Sequence, residues 1–278
     1  MLFFIPVLMI VFVSCQKEID WGLGNTNTAN KMLVKISSKT GTTDSTTIEY
    51  SYDASKRIIR EKTSGAAGGQ DLGNDFVINR NGSGIITTTV QKAAALIAAG
   101  IDSVVTRFNY STASSRYTSS IFELSIGGIG VIDSAVFAYD ANGKITSDSH
   151  YMEIIGFPFP PFLALKNTYT YSGPNLVSVA QNATTGPPAP PAPISLQAYT
   201  MDSKTNPLII GNEAIVLTRT GLFNANNPTK VVFTDLSGGG QDFTMDYTYK
   251  YNSSNKPDSS YGTRTPGGAV TATKYFYQ

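Results

Sequence analysis

The chain has 278 residues, a formal net charge of +1 and a charged fraction of only 15%. That balance argues against a nucleic-acid partner, because a phosphate backbone demands a basic face. One cysteine and one histidine exclude a disulfide framework and leave no Cys or His pair to hold zinc or another transition metal.

Residues Leu2 to Val13 form an apolar run that ends in Phe12-Val13-Ser14-Cys15, after which the chain turns polar with Gln16-Lys17-Glu18. The run is too short for the roughly 20 residues of a membrane-spanning helix but suits the apolar core of a secretory signal. A small residue ahead of the lone cysteine resembles a bacterial lipobox, in which cleavage leaves the cysteine as the lipid-modified first residue. On this reading residues 1–14 are a signal peptide and Cys15 is a lipidation site that ties the protein to a membrane. Residues 15–31, with Gly22 to Asn30 as a flexible polar stretch, then form a tether to one domain over residues 32–278. The plainer alternative is a signal peptide whose cysteine is incidental.

From Tyr50 onward one phrase recurs: aromatic, any residue, aromatic, turn former, then often a base and an apolar residue or proline. It reads Tyr50-Ser51-Tyr52-Asp53 into Arg57-Ile58, Phe137-Ala138-Tyr139-Asp140 into Lys144-Ile145, and Tyr249-Lys250-Tyr251-Asn252 into Lys256-Pro257. Looser copies begin at Phe76, Phe108, Tyr169 and Tyr199, and successive copies lie about 30 residues apart, save for a longer last interval, as expected for a repeated supersecondary unit. Each copy predicts a β-hairpin. The Asp or Asn side chain can accept hydrogen bonds from the turn's own backbone, and Asn142-Gly143 is expected to supply the positive φ angles of a tight hairpin. Phe243, Met245, Tyr247, Tyr249 and Tyr251 share one strand face, with Thr244, Asp246, Thr248 and Lys250 on the other. Asp-Ser pairs at 44, 102 and 133 are expected to mark strand starts. Seven hairpins predict on the order of 14 strands: an all-β antiparallel meander of repeated β-hairpins, curled into a barrel or half-barrel, with one short helix insertion.

Three stretches break the rhythm. Val90 to Ala99, followed by Gly100, reads as a short helix with a glycine C-cap, acting as a plug or lid. Ile154-Ile155-Gly156-Phe157-Pro158-Phe159-Pro160-Pro161-Phe162 sets phenylalanines among prolines; the rings are expected to cover an open end of the sheet, or else to touch lipid or ligand. Gly186 to Pro193 reads as an extended polyproline spacer.

Catalytic signatures are absent. His150 stands without a Gly-x-Ser-x-Gly elbow and reads as a strand residue. Asp71-Leu72-Gly73-Asn74-Asp75 lacks the spacing and terminal Glu of a calcium loop, and the glycine clusters at 65–69 and 238–240 read as loops. Neither a metal site nor a cofactor is implied.

The Tyr-Asp, turn, Gly-Lys-Ile phrase resembles the YD repeat of bacterial wall-associated and Rhs-type proteins. The order Asp202 to Leu208, Asn224 to Val231 and Tyr247 to Asn252 looks like the carboxy-terminal part of a Bacteroidota lipoprotein family described as porin-like, with the likeness running from about Ile48 to Ser259. That resemblance implies a barrel or deep half-barrel carried at the outer membrane by a lipid, and it implies no activity. Because the outward positions of the clearest strands are polar, the expectation is a hydrophilic barrel on a tether rather than a membrane-spanning one. The function expected is non-catalytic binding of a glycan or an envelope protein, with Tyr247, Tyr249, Tyr251, Phe157, Phe159 and Phe162 as candidate binding residues. A structural scaffold and a carboxylate-based glycan hydrolase are the alternatives; the oligomeric state is open.

Overall fold

The computed structural model describes residues 31–41, 43–184, 186–187, 189–208, 211–216 and 223–278. The signal peptide, Cys15 and all but the end of the tether lie outside the described residues.

The chain runs through β1 (Leu33–Thr40), β2 (Asp44–Tyr52), β3 (Ile58–Ala67), β4 (Gln70–Asp71), β5 (Asn74–Arg80), β6 (Ile86–Ala93) and helix α1 (Ala94–Ala98). It continues through β7 (Val104–Ser111), β8 (Arg116–Ile126), β9 (Ile129–Tyr139), β10 (Ile145–Ile154), β11 (Phe162–Ser172), β12 (Asn175–Ala183) and β13 (Ala192–Thr205). A 3-10 turn at Gly211–Ile215 precedes β14 (Asn226–Asp235), β15 (Phe243–Tyr251), β16 (Pro257–Thr265) and β17 (Val270–Tyr277). Every strand pairing is antiparallel, and β17 pairs with β1 from Tyr277 opposite Leu33 to Thr271 opposite Thr40, so the sheet closes. Because β4 and β5 both pair with β3, as one strand interrupted at Leu72-Gly73, the barrel has 16 staves. The sequence gives seven hairpins; the eighth is assembled from the two ends of the domain, where Met32 and Gln278 exchange backbone hydrogen bonds of 2.8 and 2.9 Å. Among the described residues, the sixteen staves and the core thus lie within 31–278.

All seven phrases turn at the same end of this barrel, and four share one geometry. Asp53, Asn81, Asp140 and Asn252 each accept, on their side-chain oxygen, the backbone N–H four residues on, at 2.9 to 3.2 Å. One residue in each turn has positive φ: Lys56 (62°), Gly84 (81°), Gly143 (86°) and Asn255 (57°). Only Gly143 of the Asn142-Gly143 pair is left-handed, so this is a five-residue turn with a single left-handed residue and not the two-residue hairpin the dipeptide predicts. The next residues explain the rest of the phrase. Leu33, Ile58, Ile86, Tyr117, Ile145, Leu176, Asn227 and Pro257, one from each hairpin, point inward and are buried. The aromatic ahead of the turn ties three hairpins to the ones before them: Tyr52, Tyr139 and Tyr277 donate to the carbonyls of Leu33, Tyr117 and Pro257 at 2.5, 2.7 and 2.7 Å. Arg80 does the same to Ile58 at 3.1 Å. The base lies over the next hairpin's ring, with Arg116 above Tyr139, Lys144 above Tyr171 and Lys256 above Tyr277 at 5.2 to 5.6 Å.

The segment after β13 seals this end. It folds into the barrel so that Ala214, Ile215 and Val216 join the core, and Glu213 reaches across to Arg80 on the opposite wall at 2.5 and 2.8 Å. The Arg80 side chain is only 6% exposed, and Nη1 also donates to Gly84.

Along the outer wall, charged side chains pair across neighbouring strands: Arg60 with Asp75, Arg107 with Glu123, Lys230 with Asp246, and Lys274 with Asp258. At these strands the outer wall is polar, while Val105, Val136, Tyr151 and Leu196 leave apolar side chains exposed on it, and an aromatic face lines the inside.

Several expectations are corrected. Val90 to Ala93 belong to β6, and α1 is a single turn with no buried residue, so it is not a plug. Asp133 sits inside β9 and marks no strand start, whereas Asp44 opens β2 and Asp102 precedes β7. The segment after Thr184 turns rather than extends, with Ala189 N–H bonded to the Gly186 carbonyl, and β13 begins at Ala192. Gly65 to Ala67 are strand, not loop. Asp71 caps Gly73 N–H at 2.7 Å, and Asp75 faces Arg60.

Candidate functional site in the barrel interior

Alternation on β15 turns Tyr247, Tyr249 and Tyr251 inward as a stacked ladder with centroid spacings of 6.3 and 5.7 Å. Gly262 stands opposite Tyr247 in register; a Cβ there would lie 2.9 Å from the ring, so the glycine gives the tyrosine room to lie against β16. Tyr251, at the sealed end, donates to the Asp202 carboxylate, and Tyr249 donates to the Pro228 carbonyl at 3.0 Å. Tyr199 and Tyr275 are also half-buried inward neighbours: the Tyr199 hydroxyl donates to Gln197 at 2.7 Å, and Tyr275 shares a bond with Ser260 at 3.2 Å. Burial pushes the Tyr247 phenol up to about 12 and also raises those of Tyr249 and Tyr275. Tyr247, Tyr249 and Tyr275 therefore stay neutral around pH 7, and the wall offers flat apolar faces.

Further round the wall lies a polar cluster. His150 on β10 holds Asp133 of β9 through Nδ1 at 2.9 Å and Asp148 of its own strand through Nε2 at 2.8 Å. Asn167 donates to Asp148 at 3.0 Å, and Gln181 donates to Asn167 at 3.0 Å, so the network crosses four strands. Burial alone would push the imidazole down, but the bonds to Asp133 and Asp148 outweigh it and lift the pKa to about 10. A histidinium thus sits between two carboxylates, one of them, Asp148, only 3% exposed. Tyr169 lies against this cluster; burial first, then the Asp148 charge, raises its phenol.

The six candidate binding residues divide. Tyr247, Tyr249 and Tyr251 line the interior. Phe157 and Phe159 are at the opposite end on the β10–β11 connection, stacked at 6.3 Å and each 46% exposed, so the expected covering role is overturned: the loop turns its rings outward. Phe162 opens β11 and is half-buried. The sequence reading missed the cluster around His150. Its signal was parity: Asp133, Ala135, Phe137 and Tyr139 alternate onto the aromatic face, which places a carboxylate inside the barrel. Glu213 gave no such signal, since its segment has no strand period. Among the described residues no group of His, Cys, Asp and Glu side chains is arranged to hold a metal ion.

No family model and no curated relative matches the chain. Solved structures do. The chain is similar to a porin-like protein from Bacteroides uniformis ATCC 8492, with 13% identity over 91% of this chain and 98% of that one and a TM-score of 0.54. It is equally similar to a porin-like protein from Bacteroides vulgatus ATCC 8482, with 11% identity over 90% and 99% of the two chains and a TM-score of 0.55. At these identities the shared property is the fold, a porin-like barrel spanning nearly the whole of each chain.

Proposed function

We propose that this protein is a lipid-anchored component of the bacterial cell envelope that binds a neutral, ring-bearing ligand, a glycan by chemistry, inside its barrel without transforming it. The observation carrying this reading is the half-buried tyrosine wall of Tyr199, Tyr247, Tyr249 and Tyr275, whose faces suit stacking on sugar rings, with the hydroxyls of Tyr247, Tyr249 and Tyr275 held protonated by burial. The envelope location draws on the lipobox-like Ser14-Cys15 and on the porin-like fold of the two Bacteroides proteins. The ion pairs Arg60–Asp75 and Lys230–Asp246 on the outer wall suit water: a basic residue facing mid-bilayer lipid costs about 2–4 kcal/mol.

A glycan array probed with residues 31–278 tests the binding; Tyr247→Ala and Tyr249→Ala are expected to weaken any hit at least tenfold, and an array blank for the unaltered protein defeats the reading. Fatty-acid labelling of the full chain, lost in Cys15→Ser, tests the anchor separately. A second reading, hydrolysis, has one observation in its favour, the convergence of Asp133 and Asp148 on His150. Glycan cleavage that disappears in Asp148→Asn would establish it.

A further inference from the structure

The end opposite the seal carries a surface that the binding reading does not use. Four neighbouring connections there contain no charged residue: Ala93 to Ile101 around α1, Gly127 to Ile132 at the β8–β9 turn, Ile154 to Leu165, and Ala183 to Ala192. The uncharged stretch extends down the wall, with no Asp, Glu, Lys or Arg from Asn167 to Met201. Among the described residues most exposed large apolar side chains follow the same arc: Ile97, Ile129, Ile155, Phe157 and Phe159 on the rim, and Val105, Val136, Tyr151 and Leu196 on the wall below; Leu236 lies on the next connection, beside Asp235. None falls on β1 to β6 or β15 to β17. The arc is continuous, since Ile155 donates its N–H to the Gly130 carbonyl at 2.8 Å and its side chain fills the space a Cβ on Gly130 would occupy.

We infer that this arc is a lipid-contact surface, through which the barrel rests on a bilayer with Phe157 and Phe159 inserted at the headgroup boundary. Exposed Phe and Ile on a charge-free loop match the apolar side of interfacial membrane binders. The inference draws on the envelope location proposed above in one respect. The anchor-bearing segment enters at Lys31, at the sealed end, where Lys256 donates to the Lys31 carbonyl. Sixteen residues separate Cys15 from Lys31, a reach of about 50 Å when extended. The staves are about 30 Å long, so a barrel lying on its uncharged flank keeps both anchor and rim at one surface.

The test is flotation of residues 31–278, which lack the anchor, with vesicles of phosphatidylethanolamine and phosphatidylglycerol. The protein is expected to float with the vesicles, and raising the salt leaves this unchanged because the rim connections that enter the headgroup boundary carry no charge. Phe157→Ser and Phe159→Ser each lower the partition coefficient on the order of tenfold, while Phe157→Leu retains it. Near-UV circular dichroism verifies that each variant stays folded. Failure of the protein to float, salt-sensitive binding, or equal flotation of both Ser variants overturns the inference, as does self-association through the same phenylalanines without vesicle binding. Loss of fatty-acid labelling with flotation intact would remove the anchor and leave the rim.

Discussion

At the sealed end, eight hairpins each bury one residue, three of them bind the hairpin before through a tyrosine hydroxyl and a fourth through Arg80, and they close over a segment held by Arg80 and Glu213. At the opposite end, successive connections differ in length and sequence and several leave apolar side chains in the open. The same staves supply both ends, so the contrast lies in the connections. Order at one end comes from a short instruction repeated, and the other end is free to vary because little of the core rests on it.

If that division of labour is right, the largest losses of stability come from the seal. Arg80→Ala leaves Glu213 without its partner beside the core and is expected to cost about 3 kcal/mol or more in denaturant unfolding, with Arg80→Met in combination with Glu213→Gln recovering much of it. Leu176→Ala, at a fully buried ring position, is expected to cost about 3 kcal/mol, and an unchanged midpoint would mean that the ring does not hold the barrel shut. The cluster around His150 adds a pH signature. Its folded pKa of about 10 exceeds the ordinary value of 6.5, so its stabilisation is fully present below about pH 6.5 and is lost as pH rises towards 10. Unfolding midpoints should fall across that window, by the equivalent of a few kcal/mol at most, and His150→Gln should flatten the profile. Gly143→Ala forces a Cβ into left-handed backbone near the Arg116 guanidinium and is expected to cost about 1 kcal/mol. The smallest effect belongs to the rim: Phe157→Ser should change stability by less than about 0.5 kcal/mol, and a larger loss would place that loop in the core after all.

Much of the sealed end was legible, because its instruction is local. Asp53, Asp140 and Asn252 bond their own turns, and period-2 alternation assigns the aromatic faces without knowledge of any partner strand. Closure was not legible, since the pairing of β1 with β17 joins segments more than 200 residues apart that carry no turn between them. The seal was missed for a related reason: Glu213 meets Arg80 across 133 residues of sequence, and nothing near either residue announces the other. The phenylalanine loop was misjudged because composition reports apolarity and not direction; whether Phe157 points in or out depends on the walls around it. For the interior site, Tyr247 and Tyr249 were readable from alternation, whereas the bonds of His150 require β9 and β10 to be in register.

The seam where β17 meets β1 makes the order of staves independent of where the chain is cut. Gln278 and Met32 are already bonded, so a short linker between Gln278 and Lys31 would let new ends be opened at Gly127-Gly128, a turn with nothing packed where its side chains would be. Such a permuted barrel would keep its interior and carry any fused cargo, or a relocated lipid, at the opposite mouth.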